Sequence, residues 1–127
     1  MSQTLLVRRN MPASYPIEHY RRDTFVFVLD VVEDTTAEAP IDISGNTYQM
    51  QVRNARTGEL IVDASTSTGE ITLPSTGRIK VQFTNTQNNA LTADCKMVYD
   101  IQQVDGDGVS KTLLAGSFTV TDDVTHA

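Results

Sequence analysis

Residues 97–121 read MVYDIQQVDGDGVSKTLLAGSFTVT. Two runs rich in β-forming residues flank Asp105-Gly106-Asp107-Gly108. Asp-Gly pairs supply the positive φ angles that tight hairpin turns need. The stretch therefore predicts one long antiparallel hairpin. Tyr99 and Ile101 face inward from its first arm, and Leu114, Phe118 and Val120 from its second. Gly116 falls on the same inward face, where a glycine marks a bulge or a close crossing chain.

The same alternation extends upstream. Residues 24–32, TFVFVLDVV, place Phe25, Phe27, Leu29 and Val31 on one face, with Val26, Val28, Asp30 and Val32 on the other. Apolar residues on both faces predict a strand covered on both sides or partly covered by a partner. A polar loop and a turn at Ser44-Gly45 follow. Residues 47–53 alternate cleanly, with Tyr48, Met50 and Val52 inward. Thr57-Gly58 reverses the chain into a strand over 59–64. A short run at 71–73 ends at Pro74, and Gly77 opens a strand carrying Ile79, Val81 and Phe83 inward. Residues 84–92 break the alternation. There Thr86 is expected to cap a single helical turn that drops Ala90 and Leu91 onto the core.

This is an all-β pattern of about seven short strands with regular turns. It predicts an immunoglobulin-like antiparallel β-sandwich with an extended N-terminal arm, a small barrel being the alternative. The expected division is an arm over 1–20 and a sandwich over 21–127. Pro12 and Pro16 interrupt the arm, and a strand over residues 3–7 has no local segment to pair with. Such an arm is either a disordered terminus or is ordered by a neighbouring subunit or by its own sheet.

A chain of 127 residues suits one core. It has no Trp and only four Phe and four Tyr, so Val, Ile and Leu must build most of that core. Residues 1–22 carry Arg8, Arg9, Arg21 and Arg22 against Glu18 alone, a net of +3. Residues 23–127 carry six bases against fifteen acids, a net of −9. This asymmetry is either ordinary surface charge or a basic arm that docks on an acidic neighbour, such as another copy of the body. The acidic body argues against nucleic acid as a partner. No apolar run approaches the roughly 20 residues of a membrane span, and the N-terminal apolar patch is too short for a secretory signal. Cys95 is alone, which precludes an intramolecular disulfide and fits a reducing cytosol.

Candidate chemistry is sparse. Asp105 to Gly108 resembles the start of a calcium loop, but no acid follows at a suitable spacing, so the turn reading prevails. His19 and His126 lie at opposite ends, outside the expected body, where no partner holds them for catalysis. Cys95 follows Asp94, whose charge opposes thiolate formation. Asp122 and Asp123 sit near the end of the sequence, with nothing to desolvate them, and no glycine-rich phosphate loop is present. The expectation is a non-enzymatic module with no catalytic, cofactor or metal site.

The segments PIDISGNTYQMQVRN, GRIKVQF, ALTADCKMVYDIQ, DGDG and LLAGSFTVTDDVT, in this order, carry a resemblance. Over roughly residues 21–125 the chain resembles the small immunoglobulin-like structural proteins of tailed bacteriophages. It is similar in particular to the N-terminal domain of phage baseplate upper proteins. The closing pattern, from Leu113 to Thr125, is the most specific part. The resemblance implies a virion component, made in the bacterial host cytoplasm, that forms a homo-oligomer, often a trimer, and bridges other virion proteins. The match ends with the sandwich and lacks the fibre-like C-terminal extension of the baseplate upper proteins. That implies a tail, baseplate or fibre-attachment adaptor, with a capsid or neck decoration protein as the alternative. A carbohydrate- or receptor-binding module is a third reading. It is disfavoured because only Tyr15 and Tyr20 remain as outward rings for sugar stacking. Arg8, Arg9, Arg21 and Arg22 are the residues expected to anchor the arm on an acidic virion partner. On that reading, deleting 1–20 leaves a folded domain that no longer joins particles.

Overall fold

The computed structural model describes residues 2–8, 13–21, 23–33, 36–92 and 95–121, with the backbone alone for 2–4. Ten strands and one short helix are present among them. The seven expected strands are β4 (Val26–Val32), β5 (Thr47–Asn54), β6 (Leu60–Ser65), β7 (Ile71–Ser75), β8 (Arg78–Gln82), β9 (Met97–Val104) and β10 (Ser110–Thr121). Three more come from the N-terminal segment: β1 (Ser2–Arg8), β2 (Ala13–Ser14) and β3 (Ile17–Tyr20).

The strands form a sandwich. One sheet has four strands in the order β1-β4-β8-β7. The other has six, in the order β2-β10-β9-β5-β6, with β3 also paired to β10. Pairing among β4 to β10 is antiparallel, as the alternation predicted. The N-terminal strands make the sheets mixed. β1 runs parallel to β4, from Ser2 opposite Val26 to Arg8 opposite Val32, and β2 and β3 run parallel to β10.

This corrects the expectation of an arm outside the sandwich with a boundary after residue 20. Val7 and Ile17 are buried in the common core, and β1 finds the partner that no local segment offered. The physical reason is burial: Val7 on β1 and Ile17 and His19 on β3 turn inward, and His19 packs against Phe25 and Phe118.

That cluster holds the two sheets together. Phe25 lies 4.6 Å from Phe83 and 5.3 Å from Phe118, centroid to centroid. Tyr48, Met50, Ile79, Ile101 and Leu114 complete the fully buried set around it. Each was placed inward by the period of two. Leu113 is buried beside Leu114 because the β9–β10 register slips between Thr112 and Leu114, a bulge that turns two successive side chains toward the core.

The hairpin tip is a self-satisfied turn. Asp105 Oδ1 accepts from the backbone N–H of Asp107 (2.9 Å) and of Val109 (3.0 Å). Gly108 takes φ of 81° and donates to the Asp105 carbonyl at 3.0 Å. Helix α1 (Asn85–Ala90) is one short segment, but its cap is Thr84 rather than Thr86. Thr84 and Gln87 form a reciprocal capping box, with Gln87 N to Thr84 Oγ1 at 3.2 Å and Thr84 N to Gln87 Oε1 at 2.9 Å. Leu91 is buried as expected, whereas Ala90 is exposed and Asn88 takes the inner position. Asn88 Oδ1 accepts from Phe25 N at 3.2 Å, and its Nδ2 donates to Phe83 O at 3.4 Å. It thereby satisfies backbone groups that neither sheet pairs.

Gly116 is the close crossing point. A Cβ there would lie 2.3 Å from the Tyr15 carbonyl oxygen. Gly116→Ala is therefore expected to destabilise the fold by about 1–3 kcal/mol, as overpacking against rigid backbone does. Ile17→Ala, which empties a fully buried site, should cost about 2–5 kcal/mol. Urea unfolding followed by circular dichroism measures both. For the same reason, removal of residues 1–20 is expected to yield a chain that fails to fold cooperatively, replacing the expectation from the sequence.

Candidate docking surface

The N-terminal segment is clamped to β10 and β9 by a small set of polar contacts. Tyr15 N donates to Ala115 O at 3.0 Å, and Arg21 N donates to Thr121 O at 2.8 Å. Tyr99 Oη donates to the Tyr15 carbonyl at 2.6 Å. Desolvation pushes the Tyr99 phenol well above its ordinary pKa, so it stays a donor throughout the physiological range. The Tyr15 ring rests 6.0 Å from Phe27.

His19 was expected outside the body but is buried, at 8% exposure, on the inward face of β3. Its ring stands edge-on to Phe25 at 5.3 Å and 6.4 Å from Phe118. Burial lowers its pKa below 6.5, opposed by the backbone contact with Asp23 and by the Asp23 charge. The signal was present in residues 17–20, where Ile17 and His19 alternate with Glu18 and Tyr20, but four residues are too few to assert a strand from sequence.

Arg8 and Arg21 stand apart. Arg8 ends β1 opposite Val32, at the far end of β4, and pairs with Glu38. Arg21 follows β3 beside Thr121, at the end where β4 begins. The length of β4 separates them, about 20 Å at the usual rise per residue. Arg9 and Arg22 lie outside the described residues, as do Asp94, Asp122, Asp123 and His126. Arg8 and Lys111 line a hollow of about 410 Å³ with Asp42 and Asp105, so opposite charges already mingle there. On the outer face of the four-stranded sheet, Arg78 binds both oxygens of Asp30, at 2.8 and 3.0 Å. That guanidinium holds the Asp30 carboxyl below its usual pKa.

Two further hollows are shallow. One of about 440 Å³ is lined by Gln49, Asp63, Ser65, Thr66 and Gln102, with Tyr48 at its wall. The Tyr48 hydroxyl is taken up by Asn46 and Gln103, and its ring is buried, so the hollow offers no stacking platform. Another, of about 600 Å³, runs along Val98, Ser117 and Thr119 with half-buried Cys95. Among the described residues, no three His, Cys, Asp or Glu side chains converge as a metal site. The surface features on the described residues are strand edges, exposed apolar residues such as Leu6 and Val109, and charge.

No protein-family model and no curated protein matches the sequence. Solved structures do match its shape. The N-terminal domain of phage TP901-1 ORF48 aligns over 94% of this chain and 98% of its own length, with a TM-score of 0.53 and 12% sequence identity. The chain has the fold of a phage protein domain. Murine CRIg aligns at a TM-score of 0.37 and 9% identity, over 84% of this chain and 92% of that one. The V domain of amphioxus IgVJ-C2 aligns at 0.28 and 8%, over 82% and 98%. The all-β sandwich that the hairpin pattern predicted is the fold observed, and its shape matches that of the ORF48 domain.

His19 makes folding pH-dependent with a definite sign. Its folded pKa lies below 6.5, so the folded state resists protonation more than the unfolded chain does. The stabilisation is full above pH 6.5 and is lost as pH falls through the lowered value. Wild type should lose stability between pH 7 and 5 more steeply than His19→Leu, read as parallel urea series; superimposable slopes would refute the assignment.

Proposed function

We infer that this protein is a structural component of a tailed-phage virion, serving as a tail, baseplate or fibre-attachment adaptor. The observation that carries this reading is the near-complete overlap, over both chains, with the N-terminal domain of phage TP901-1 ORF48. The resemblance in residues 113–125 supports it independently. A sandwich whose recognisable features are edges and charge, without a convergent set of reactive groups among the described residues, suits a role in assembly rather than catalysis. Its partners on this reading are neighbouring virion proteins and further copies of itself, and its location is the particle.

The basic N-terminal residues are the proposed contact groups. Arg8 ends β1 and Arg21 follows β3, with Arg9 and Arg22 next to them in sequence. Arg21→Glu with Arg22→Glu is expected to retain the fold, because Arg21 is exposed and its backbone N–H still reaches Thr121. Its incorporation into particles should fall severalfold. Tagged protein co-sedimenting with purified phage on a density gradient provides the measurement. Incorporation of the doubly reversed protein at the wild-type level would remove these arginines from the interface, and absence of the wild-type protein from particles would sink the virion reading itself.

A further inference from the structure

The tip of the β9–β10 hairpin carries two Asp-Gly peptides, Asp105-Gly106 and Asp107-Gly108. Its spacing offers no cation cage, but the peptides have a chemistry of their own. An aspartyl residue followed by glycine is open to attack from its own backbone, because no side chain on the glycine hinders the nitrogen. The glycine nitrogen bonds to Cγ of the protonated carboxyl, the Cγ–O bond breaks, and water leaves a five-membered succinimide. Water then adds to one of its two carbonyls. Addition at Cγ restores aspartate. Addition at the main-chain carbonyl breaks that carbon's bond to nitrogen and leaves the chain running through Cγ, as isoaspartate. One water leaves and one returns, so no other reactant is needed.

The sequence makes the two peptides equivalent, and the turn does not. Asp105 is fastened. Its Oδ1 accepts from the amides of Asp107 at 2.9 Å and Val109 at 3.0 Å. Its own N–H donates to Val109 O at 3.0 Å, and the residue is half-buried. Cγ can swing to Gly106 N only after both carboxylate bonds break, and bonds to an ionised acceptor are the stronger kind. Asp107 is exposed, and its carboxylate accepts no hydrogen bond among the described residues. One bond restrains its peptide, from Gly108 N to Asp105 O at 3.0 Å. A neutral hydrogen bond of that kind slows the attack by about tenfold at most. Gly108 also has open space at the position of its missing Cβ, so no packed group shields it.

We propose that Asp107-Gly108 is a site of spontaneous isoaspartate formation in the folded protein, and that the turn built by Asp105 protects Asp105-Gly106 from the same reaction. The product adds one methylene to the main chain inside the tip and leaves the former main-chain carboxyl as the pendant group. Gly108 N and Val109 N then lose their common register on Asp105, so conversion loosens the tip. The inference stands on the geometry of this turn and not on a place in a virion.

Prolonged incubation of the full chain at neutral pH and body temperature, beside a sample unfolded in guanidinium chloride, tests it. Trypsin releases both peptides on one fragment, residues 97–111, between the cuts at Lys96 and Lys111. Electron-transfer fragmentation of that fragment assigns isoaspartate to position 105 or 107. Methyl transfer from S-adenosylmethionine by an isoaspartyl methyltransferase counts the total. In the folded protein, conversion at Asp107 should exceed conversion at Asp105 by at least about tenfold. In denaturant the two should convert at comparable rates. Asp107→Glu changes an exposed residue and forms the cyclic imide far more slowly, so its methyl acceptance should fall to background while folded. The Val109 amide should exchange faster in the converted fraction than in the unconverted one. Conversion at Asp105 equal to or above that at Asp107 in the folded protein overturns the proposal. So does conversion at Asp105 in folded Asp107→Glu, or a folded sample free of isoaspartate while the unfolded one accumulates it.

Discussion

The approach of Tyr15 to Gly116, where the N-terminal segment lies against β10, is the contact on which the rest of the sandwich depends. It is a backbone-on-backbone approach, possible only because Gly116 has no side chain at a point where a Cβ would sit 2.3 Å from a carbonyl oxygen. Tyr15 is held there from two directions, by its own N–H to Ala115 and by the Tyr99 hydroxyl on its carbonyl. With that point pinned, Ile17 and His19 turn inward from the six-stranded sheet, His19 against Phe25 and Phe118, while Val7 is buried in the same core opposite Val31 on the four-stranded sheet. The segment acts as a strap whose two ends belong to different layers. A strap of this kind couples both sheets to a single stretch of chain, which is why its loss is expected to be global rather than local.

The same economy governs the polar groups. Asn88 serves the unpaired backbone of Phe25 and Phe83, Asp105 serves the amides of its own turn, and Gln87 both caps α1 and closes the β6 edge. No buried side-chain nitrogen or oxygen among the described residues is left unsatisfied. The Asp30–Arg78 pair lies on the open face of a sheet, where solvent screening leaves an ion pair worth little to stability but able to set local charge. What remains available for other molecules is at the margins: strand edges, a few exposed apolar residues and arginines distributed at two ends of the body. These are the features on which the proposed assembly role draws.

Legibility from sequence followed the range of the interactions. The pairs β5–β6, β7–β8 and β9–β10 were readable because a short reversal marked by Gly or Asp-Gly joins each, and β4 because its period-two alternation identifies the buried face. The capping residue of α1 was misplaced by two positions, since Thr84 and Thr86 are equivalent by composition and only the Gln87 side chain distinguishes them. β1 and β3 were hidden for a different reason. Their partners lie far along the chain, Val26 for Ser2 and Phe118 for Ile17, and the pairing is parallel, so no turn announces it. His19 was misjudged with them: a histidine near a terminus looks solvated until its strand is placed.

The sequence by itself determined the all-β class, the inward residues of β5, β8, β9 and β10, and the hairpin at 97–121. Each follows from steric and periodic rules that act over a few residues. Only the tertiary structure decided that Gly116 meets a crossing chain, where the N-terminal segment goes, and that Arg8 and Arg21 stand apart. Those outcomes depend on which distant segment covers which exposed apolar surface, and the free energy of that choice belongs to the packed pair rather than to either sequence alone.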